Sequence, residues 1–550
     1  MRSTVTLITY SAGNVRSAIN AIEACGFAVK EAKTEDDIDN AEVSPIHLDS
    51  HLKYQIIIFP GVGSFSSVME SLEEQRFIEP LRRYISQDRP FLGICVGLQC
   101  LFEFSQESPG VKGMGVIPGK VRRFSEKKKP VPHIGWNLCA VQCENQSWIQ
   151  DSSHYYFVHS YGFFLDDAAA AKEWVCSLTT YGSETFVSAV RRGNVFATQF
   201  HPEKSGRAGL DLIQSFLDQS AGPYLPPVQL VTPKNGLTRR IIACLDVRSN
   251  EANEIIVTKG DQYDVREKDS SRKIRDFGTP SDVAGFYYER GADEVALLNI
   301  TQFRSCPLKD LPMLHVLREV SRKVFIPLTI GGGIRDITEP DGNVVAAIDV
   351  VSEYFNSGAD KVSIGSDAVY AVERYLKEGT LSGASTIEQI SKRYGKQAVV
   401  ISVDPKRVFV ASPSDTTHNT IKTDGALGPN GEQYCWYQCT VKGGREARDI
   451  DVIQLVTSCE KMGAGEILLN CIDRDGTNAG YDIELINHVR RSVGIPVIAS
   501  SGAGNADHFK EVFCRTDAEA ALAAGIFHRR EVDIMDLKRE LILNGCKIRD

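Results

Sequence analysis

The sequence predicts an α/β protein of two domains, an open α/β sheet domain followed by a (β/α)8 barrel. Short apolar segments alternate with helical stretches in residues 1–220, a pattern typical of an open α/β sheet. Residues 221–238 are rich in proline and lack helical periodicity, which indicates a linker. Residues 239–550 contain eight further apolar segments separated by helical stretches, the number that a (β/α)8 barrel requires.

Apolar runs mark the predicted strands of both domains. The chain of 550 residues is too long for a single hydrophobic core, so two series of strands are expected. In the first domain strands are predicted at residues 5–9, 55–59, 91–95, 155–159, 186–190 and 195–199. In the second domain they are predicted at residues 241–247, 294–299, 326–330, 361–364, 398–403, 466–470, 497–499 and 518–522.

The second domain repeats its own sequence. Residues 242–246 (IACLD) match residues 400–404 (VISVD), and residues 326–333 match residues 495–502. The matching segments lie about 160 to 170 residues apart. We therefore expect two half-barrels of four strand–helix units each to form one barrel.

Composition argues against several classes of protein. Hydrophobic residues make up 42% of the chain and the net charge is −9, which disfavours general binding to nucleic acid or to a membrane surface. The sequence contains no run of 18 apolar residues, so no transmembrane helix is predicted. A strand predicted from Val5 leaves no room for a signal peptide, and the 14 cysteines are scattered. A cytoplasmic, reduced protein is expected.

No metal or cofactor is expected. Cys435 and Cys439 have no partner pair at zinc-finger spacing, so we interpret them as core or loop thiols. No Gly-x-Gly-x-x-Gly segment follows a predicted strand, which disfavours a dinucleotide.

Residues 93–98 (GICVGL) and a distant His-Pro-Glu segment predict a nucleophilic cysteine. Cys95 lies between two glycines, after an apolar strand and before a helix-like run over residues 98–104, as in a nucleophile elbow. A helix N-terminus at this turn would favour the thiolate. His201 is the candidate general base, and Glu203 is the residue that fixes its tautomer. A buried cysteine alone is more often a packing residue, so the prediction depends on this pairing.

Asp246 and Asp404 are predicted to end the first and fifth barrel strands, on opposite sides of the barrel mouth. Active sites of such barrels lie where the strands end. Two carboxylates that face one cavity can divide general acid and general base catalysis between them. Either aspartate alone could be a helix N-cap, but their symmetric placement favours the catalytic interpretation.

Small residues follow four of the barrel strands in two matching pairs. At such turns the backbone N–H groups of a helix N-terminus can bind a phosphate, so two pairs predict a substrate with a phosphate at each end. An ordinary left-handed turn is the alternative for the seventh-strand pair taken alone. The residues are Gly332, Gly333, Gly365, Ser366, Ser501, Gly502, Ala524 and Gly525.

Taken together, the motifs resemble the fused imidazole glycerol phosphate synthase family of histidine biosynthesis over nearly the whole chain. The first domain resembles class I glutamine amidotransferases, whose open sheet is flavodoxin-like, through residues 60–63, 93–99 and 201–205. The second domain resembles the family's cyclase barrel through residues 240–247, 358–365 and 471–476.

The resemblance implies a glutaminase reaction in the first domain. Cys95 would attack the carboxamide of glutamine while His201 moves the proton, releasing ammonia and leaving a glutamyl thioester that water hydrolyses. The oxyanion and glutamine-binding residues implied are Gly61, Val62, Gly63, Gly97 and Gln99.

In the barrel the resemblance implies a cyclase reaction. Ammonia would attack a bis-phosphorylated ribulosyl-aminoimidazole carboxamide ribonucleotide (PRFAR), giving imidazole glycerol phosphate and aminoimidazole carboxamide ribonucleotide (AICAR). Asp246 and Asp404 are the implied acid and base, and Lys259, Asp475 and Gly476 match positions that line the substrate site. The expected partners are these small molecules, and a functional monomer is plausible because both domains share one chain.

Two further sets of charged residues follow from the resemblance. Arg240, Glu294, Lys361 and Glu466 lie at strand starts and match a charged ring at the bottom of the barrel. The ring could be a gate for ammonia or a salt-bridge plug. Lys204 and Asp360 match positions that pair across the two domains in the family.

The sequence departs from the family pattern at a few places. Asn299 stands where bacterial barrels often carry Asp. Extra residues within 249–273 and 339–343 lengthen loops, which could be a lid or passive surface. Rival functions are a glutaminase fused to a related phosphosugar isomerase barrel, a non-catalytic metabolite sensor, and a cysteine peptidase.

Overall fold

The computed structural model divides into two compact units, Met1–Leu237 with Arg393–Gly395, and Thr238–Lys392 with Lys396–Asp550. Both units are α/β, as predicted, whereas the predicted domain limits of 1–220 and 239–550 stay a prediction. The residues that the structure describes are 4–10, 14–39, 56–126, 129–143, 148–151, 153–220, 222, 224–250, 252, 254–259, 276–300, 308, 311–339, 342–423 and 427–550.

An eight-stranded sheet, parallel on one side and antiparallel on the other, forms the centre of the first unit. The parallel part has the strand order Ala28–Glu31, Thr4–Leu7, Ile56–Phe59, Phe91–Ile94 and Val195–Thr198. The sheet continues in antiparallel fashion through Glu184–Arg192, Val175–Tyr181 and Ala140–Val141.

Three neighbouring parallel strands position the candidate residues of this unit. Phe91–Ile94 pairs with Ile56–Phe59 on one side and with Val195–Thr198 on the other, and all three are buried along their whole length. Because the strands run in the same direction, the segments that follow them meet at one edge of the sheet. Segments that begin at Pro60, Cys95 and Gln199 are therefore brought together.

Helices and two small sheets complete the first unit. Helix Phe65–Glu74 shows why such segments fold: Ser64 caps its N-terminus and its apolar residues lie on one buried face. A three-stranded sheet contains Tyr161–Gly162, Ile117–Arg123 and Phe102–Ser105, and His133–Leu138 pairs with His154–His159. The helices are Arg16–Ala24, Glu35–Asp39, Phe65–Glu74, Ile78–Ser86, Val96–Gln99 and Gly206–Leu217, with 3-10 segments Leu165–Trp174 and Pro202–Lys204.

Two predictions for this unit are wrong in detail. The helix-like run predicted over residues 98–104 is a short helix, Val96–Gln99, followed by strand Phe102–Ser105. Pairing of that strand with Ile117–Arg123 overrides its local helical pattern. The strand predicted at residues 155–159 forms, but it belongs to the two-stranded sheet instead of the main one.

Eight parallel strands close the barrel of the second unit, because the first pairs with the last. We number them barrel strands 1 to 8 in chain order. The prediction of a (β/α)8 barrel is confirmed. The strands are Arg240–Ser249, Glu294–Asn299, Leu328–Gly331, Lys361–Ile364, Val399–Val403, Glu466–Asn470, Val497–Ser500 and Ala520–Ala523.

Alternate residues of the barrel strands fill the interior, as the two-residue period of a strand requires. Apolar side chains from barrel strands 1, 2, 5, 6, 7 and 8 form a continuous buried cluster. Its members are Ile242, Cys244, Ala296, Val400, Leu468, Ile498, Ala520, Leu522 and Ala524, with Leu298 packed against it.

Helices follow most of the barrel strands. Helix Ser366–Glu378 begins directly after Gly365 and ends at Gly379, which adopts the left-handed conformation of a C-cap. The helices of this unit are Pro280–Glu289, Pro312–Ser321, Ala347–Asn356, Ser366–Glu378, Thr386–Tyr394, Val452–Met462, Ile483–Ser492, Ala506–Arg515, Gly525–His528 and Ile534–Leu543.

The barrel carries two elaborations at its strand ends. Barrel strand 1 runs beyond Asp246 to Ser249 because Ile255–Thr258 folds back on it in antiparallel fashion, so Asp246 does not end the strand as predicted. An additional four-stranded sheet follows barrel strand 5, and the sequence did not predict it. Its strands are Pro405–Val410, Thr420–Lys422, Tyr434–Val441 and Glu446–Asp451.

Candidate active sites

Cys95 occupies a strained turn between a strand and a helix. Its φ is 52°, a left-handed conformation that is uncommon for a residue with a side chain. A Cβ on Gly93 would lie 3.0 Å from the Ala197 Cβ, and one on Gly97 would lie 2.4 Å from the Phe59 carbonyl oxygen. Close packing therefore requires glycine at residue 97 and leaves little room for a side chain at residue 93, and the turn has the geometry expected of a nucleophile elbow.

His201 and Glu203 lie beside Cys95, as the sequence predicted. The Nδ1 atom of His201 is 2.7 Å from Oε1 of Glu203, and both residues are buried. Burial alone would lower the pKa of His201, but the Glu203 carboxylate and the adjacent Cys95 raise it well above its usual value. The raised pKa favours a protonated His201 next to the Cys95 sulphur.

The predicted oxyanion segment lies against the elbow. A Cβ on Gly61 would lie 2.3 Å from the Ile94 carbonyl oxygen, so only glycine permits this approach. Tyr10 contacts the segment at both ends: its hydroxyl accepts from Val62 N–H at 2.8 Å and lies 3.1 Å from the carbonyl oxygens of Pro60 and Val62. In this conformation the Val62 N–H is bonded to Tyr10. Gly63 has a φ of 140°.

Gln99 is buried and makes two hydrogen bonds inside the protein. Its Nε2 atom donates to the Tyr161 carbonyl oxygen and to Oε1 of Gln199, each at 3.1 Å. The Gln199 amide in turn donates to the Cys95 sulphur at 3.5 Å. Residue 199 falls at the end of a predicted strand but is not among the predicted site residues. Its position two residues before His201, directly after the strand that pairs with the one leading to Cys95, is the signal that could have identified it.

Carboxylates and one lysine gather at the barrel mouth. Lys259 Nζ lies 3.2 Å from Oδ2 of Asp246 and 3.9 Å from Oδ1 of Asp475. Asp246 and Asp475 raise the pKa of Lys259, which keeps it charged despite burial. The backbone N–H of Asp475 donates to the Cys471 carbonyl oxygen, and Gly476 has a φ of 70°.

Asp404 follows barrel strand 5 across the mouth from Asp246. Asn470 donates to its Oδ1 atom at 2.9 Å and to Ser402 at 3.0 Å. Burial of the Asp404 carboxyl raises its pKa, and the nearby Asp475 raises it further, against the opposing effect of Asn470. Asp404 thus has the environment of a carboxyl group that retains its proton more readily than an exposed one.

The small residues predicted to bind phosphate lie at strand ends. Gly332 and Gly502 have φ values of 90° and 98°, and a Cβ on either would lie within 2.3 Å of a carbonyl oxygen. Ser501 also has a positive φ, of 73°. These turns need glycine or strain to bring their N–H groups together. The other predicted residues are Gly333, Gly365, Ser366, Ala524 and Gly525, of which Gly365 and Ala524 directly precede helices.

Four buried charges form a closed ring at the N-terminal ends of barrel strands 1, 2, 4 and 6. Arg240 binds Glu294 at 2.7 Å and also binds Glu466. Lys361 binds both glutamates at 2.7 Å. Burial would raise the pKa of Glu466, but Arg240 and Lys361 lower it below its usual value. Each cation touches both anions, so the ring is electrically balanced.

Other predicted residues are described within their own units. Lys204 is buried, and Asp360 accepts a hydrogen bond from Leu328 N–H at 2.8 Å. Their pairing stays a prediction. Asn299 ends barrel strand 2. The predicted loop insertion at 249–273 lies largely outside the described residues, whereas strands Ile337–Thr338 and Val344–Val345 flank the one at 339–343.

Cys435 and Cys439 are buried in one strand of the additional sheet, as core thiols would be. Within the described ranges, no group of three potential metal ligands comes together. Of the helices in the described part of the chain, none has the length and apolar character needed to cross a membrane.

Family models match both halves of the chain. Residues 6–219 match the model described as glutamine amidotransferase class-I, and residues 240–533 match the histidine biosynthesis protein model. The tight glycine packing and the Cys95–His201–Glu203 geometry lie within the first match, and the barrel mouth lies within the second.

Several curated proteins are similar along most of their length. The Schizosaccharomyces pombe imidazole glycerol phosphate synthase hisHF is 54% identical over 555 residues, covering 99% of both chains. An Arabidopsis thaliana relative, named as chloroplastic, is 53% identical and is covered over 90% of its length, so the predicted cytoplasmic location stays a prediction. The Methanobrevibacter smithii synthase subunit HisF is 38% identical and matches 57% of this chain. This chain belongs to the imidazole glycerol phosphate synthase hisHF family.

Proposed function

We propose that this chain hydrolyses glutamine in its first unit and uses the ammonia in its barrel to convert PRFAR into imidazole glycerol phosphate and AICAR. The observation that carries the proposal is the joining, in one chain, of a buried Cys95–His201–Glu203 triad to a barrel with two acids at its mouth. A sensor has no need of a strained nucleophile, and a peptidase has no use for the barrel.

For the glutaminase step, the proposed nucleophile is the Cys95 thiolate. It attacks the side-chain carbonyl carbon of glutamine, and the His201 imidazolium gives its proton to the departing ammonia. Glu203 holds Nδ1 of His201, so that Nε2 faces the reaction. His201 then removes a proton from the water that hydrolyses the glutamyl thioester and is itself reprotonated, completing the cycle.

Stabilisation of the tetrahedral intermediate requires an N–H group aimed at the oxyanion. The Gly61–Val62–Gly63 backbone is packed on the elbow and is the proposed source. Because the Val62 N–H donates to the Tyr10 hydroxyl in the conformation described, this group becomes available only when that hydrogen bond breaks. We therefore assign the described conformation to a resting state of the glutaminase.

For the cyclase step, Asp404 is the proposed acid and Asp246 the proposed base. The raised pKa of Asp404 favours its protonated form, whereas Asp246 lies 3.2 Å from the Lys259 ammonium group. Ammonia attacks the formimino carbon of PRFAR between the two groups. Lys259 and the glycine-rich turns provide positive charge and N–H groups for the two phosphates.

The barrel interior is the proposed route for ammonia. Free ammonia is largely protonated near neutral pH and then no longer nucleophilic, so an apolar passage that excludes water preserves its reactivity. The buried cluster from Ile242 to Ala524 supplies such a lining, with several small side chains such as Ala296 and Ala520. The charged ring at strand starts would then control entry, whether as a gate or as a constriction.

Turnover with two nitrogen sources tests the proposal. Cys95→Ala should abolish PRFAR turnover with glutamine and retain it with ammonium at high pH, where free ammonia is available. Cys100→Ala is the matched control, since Cys100 is a buried cysteine at the other end of the same short helix and does not belong to the triad. Loss of both reactions in Cys95→Ala would contradict the proposal that the two units act at separate sites. Absence of turnover by the wild type with either nitrogen source would reject the proposed cyclase reaction.

A further inference from the structure

Two glutamine side chains form a hydrogen-bonded chain that ends on the Cys95 sulphur. Gln99 ends the short helix Val96–Gln99, and Gln199 directly follows the strand Val195–Thr198. The two residues are 5% and 1% exposed, and their side chains contact each other at 3.1 Å. Neither side chain belongs to the Cys95–His201–Glu203 triad. A pair of buried amides at a nucleophile needs a physical reason, because each buried polar group must find a partner.

The polarity of this chain is fixed by a backbone carbonyl at its far end. The Tyr161 carbonyl oxygen can only accept, so the Gln99 amide presents its nitrogen there. The same nitrogen contacts Gln199, which must therefore present its oxygen to Gln99. The Gln199 nitrogen is then the atom that faces the sulphur, 3.5 Å away.

Backbone contacts hold the members of this chain in place. The Cys95 N–H donates to the Thr198 carbonyl oxygen at 2.7 Å, and the Gln199 N–H donates to the Ser188 carbonyl oxygen at 2.9 Å. The sulphur and the Gln199 amide are thereby attached to two strands that pair directly with each other. The donor is preorganised, and it does not have to move when charge develops on the sulphur.

We propose that Gln199 is a catalytic residue that donates a hydrogen bond to the Cys95 thiolate, and that Gln99 is a positioning residue that fixes the orientation of the Gln199 amide. The sulphur then lies between two donors, protonated His201 and neutral Gln199. A neutral amide donates a hydrogen bond but does not give up its proton. Gln199 therefore stabilises the thiolate without competing with His201 in proton transfer. This inference rests on the proposed nucleophilic role of Cys95.

The pH profile of Cys95 alkylation by iodoacetamide, followed on the Cys95 peptide by mass spectrometry in the full-length chain, tests the proposal. Thiolate is the reactive species, so loss of a donor should move the profile to higher pH. For Gln199→Met we expect about a tenfold slower reaction at pH 7, equivalent to a shift of about one pH unit. Alkylation of the exposed Cys514 in the same samples is the internal control and should be unchanged.

A double-mutant cycle separates the two glutamines. Gln99→Met leaves the Gln199 amide in place but free to rotate, so a smaller slowing of about threefold is expected. The double variant should react at the rate of Gln199→Met alone, because Gln99 acts on the sulphur only through Gln199. Independent, multiplying effects would overturn the assignment of Gln99.

Failure of the proposed Gln199 role can be distinguished from failure of the proposed glutaminase reaction. An unchanged Cys95 profile in Gln199→Met, with glutamine-driven turnover still lost in Cys95→Ala, would overturn the hydrogen-bond role and leave the nucleophile intact. If Gln199→Met does not fold, judged by its lost ammonium-driven turnover, Gln199→Asn is the second variant. Its shorter amide withdraws from the sulphur, and the same shift is expected; an unshifted profile there would equally reject the role.

Discussion

The two charged clusters of the barrel differ in how their charges are balanced. At the strand starts, two cations and two glutamates alternate in a closed ring in which all four side chains are at most 1% exposed. At the mouth, described residues place one lysine among Asp246, Asp404 and Asp475. The ring satisfies every charge with an opposite one, whereas these described residues of the mouth include more carboxylates than cations.

We propose that this difference distinguishes a structural ion-pair ring from the site of the cyclase reaction. In the ring, Glu466 has a pKa below its usual value because two cations bind it. At the mouth, Asp404 has a raised pKa because it is buried near another carboxylate. The same residue class in one barrel is thus held ionised at one end and kept protonatable at the other, as acid–base chemistry requires.

Removing the protonatable acid should have the largest effect on turnover. Asp404→Asn is expected to lower the cyclase rate by about 10²–10⁴-fold with either nitrogen source, since a positioned acid contributes that much. Steady-state turnover with saturating PRFAR and ammonium measures it. Asp449→Asn, at an exposed carboxylate of the additional sheet, is the control and should keep wild-type turnover. Turnover within threefold of wild type in Asp404→Asn would reject its role.

Breaking the ring should affect stability most. Glu466→Gln leaves Arg240 and Lys361 with one buried anion between them, and we expect a loss of about 3–5 kcal/mol in the free energy of unfolding. Urea unfolding followed by circular dichroism reports it. Glu446→Gln, which breaks a surface pair with Lys442, should leave the midpoint unchanged. An unaltered midpoint in Glu466→Gln would mean that the ring is not a stabilising element.

Removing Lys259 should weaken the mouth as a binding site. Lys259→Gln removes the ammonium group that lies 3.2 Å from Asp246 and 3.9 Å from Asp475, so a phosphorylated substrate meets carboxylates without this cation. We expect about a tenfold loss of kcat/KM for PRFAR with a smaller change in kcat. Lys442→Gln, at an exposed position, is the control. A kcat/KM within about twofold of wild type would show that Lys259 does not contribute to substrate binding.

Glu466 and Asp404 should make opposite contributions to the pH dependence of stability. This is the smallest of the effects expected. Glu466 has a folded pKa below its unfolded value near 4.3, so its contribution is present above that pH and is lost as the pH falls. Asp404 has a folded pKa above its unfolded value near 3.9, so it opposes folding increasingly as the pH rises through that window. Thermal melts between pH 4 and 8 should show Asp404→Asn gaining stability relative to wild type towards pH 8. Glu466→Gln should show its largest deficit there, and parallel curves for both variants would contradict the contrast.

Strand patterning and motifs were enough to predict both folds, and they identified candidate site residues whose roles stay predictions. Two short sequence patterns were informative because their structure is determined locally. One is the repeat that places Asp246 and Asp404 in equivalent strands, and the other is the pair of glycines around Cys95. The prediction of a helix-like run over residues 98–104 was wrong because Phe102–Ser105 pairs as a strand with Ile117–Arg123. Strand Ala28–Glu31 was missed because its half-exposed, charged pattern carries no apolar run.

Hydrogen bonds and ion pairs between residues far apart in the sequence could not be predicted. The hydrogen bonds of Gln199 to Cys95 and of Tyr10 to Val62 join residues far apart in sequence, and neither residue type indicates such a contact. The closed pairing of the ring was expected only as a set of charges, and its geometry required the barrel. The additional sheet, whose Arg407 binds Asp482 and Glu484 at 2.8 and 2.9 Å, also had no signal in the sequence.

We infer that the acids at the barrel mouth carry out the cyclase reaction and that the charged ring does not. To test this, ammonium-driven PRFAR turnover and the glutamate-to-product ratio with glutamine are measured for Glu466→Gln and Asp404→Asn side by side, at a temperature where both are folded. We predict that Asp404→Asn loses both reactions, whereas Glu466→Gln keeps ammonium-driven turnover and alters only the ratio. Loss of ammonium-driven turnover in folded Glu466→Gln, or its survival in Asp404→Asn, would reject this division of roles.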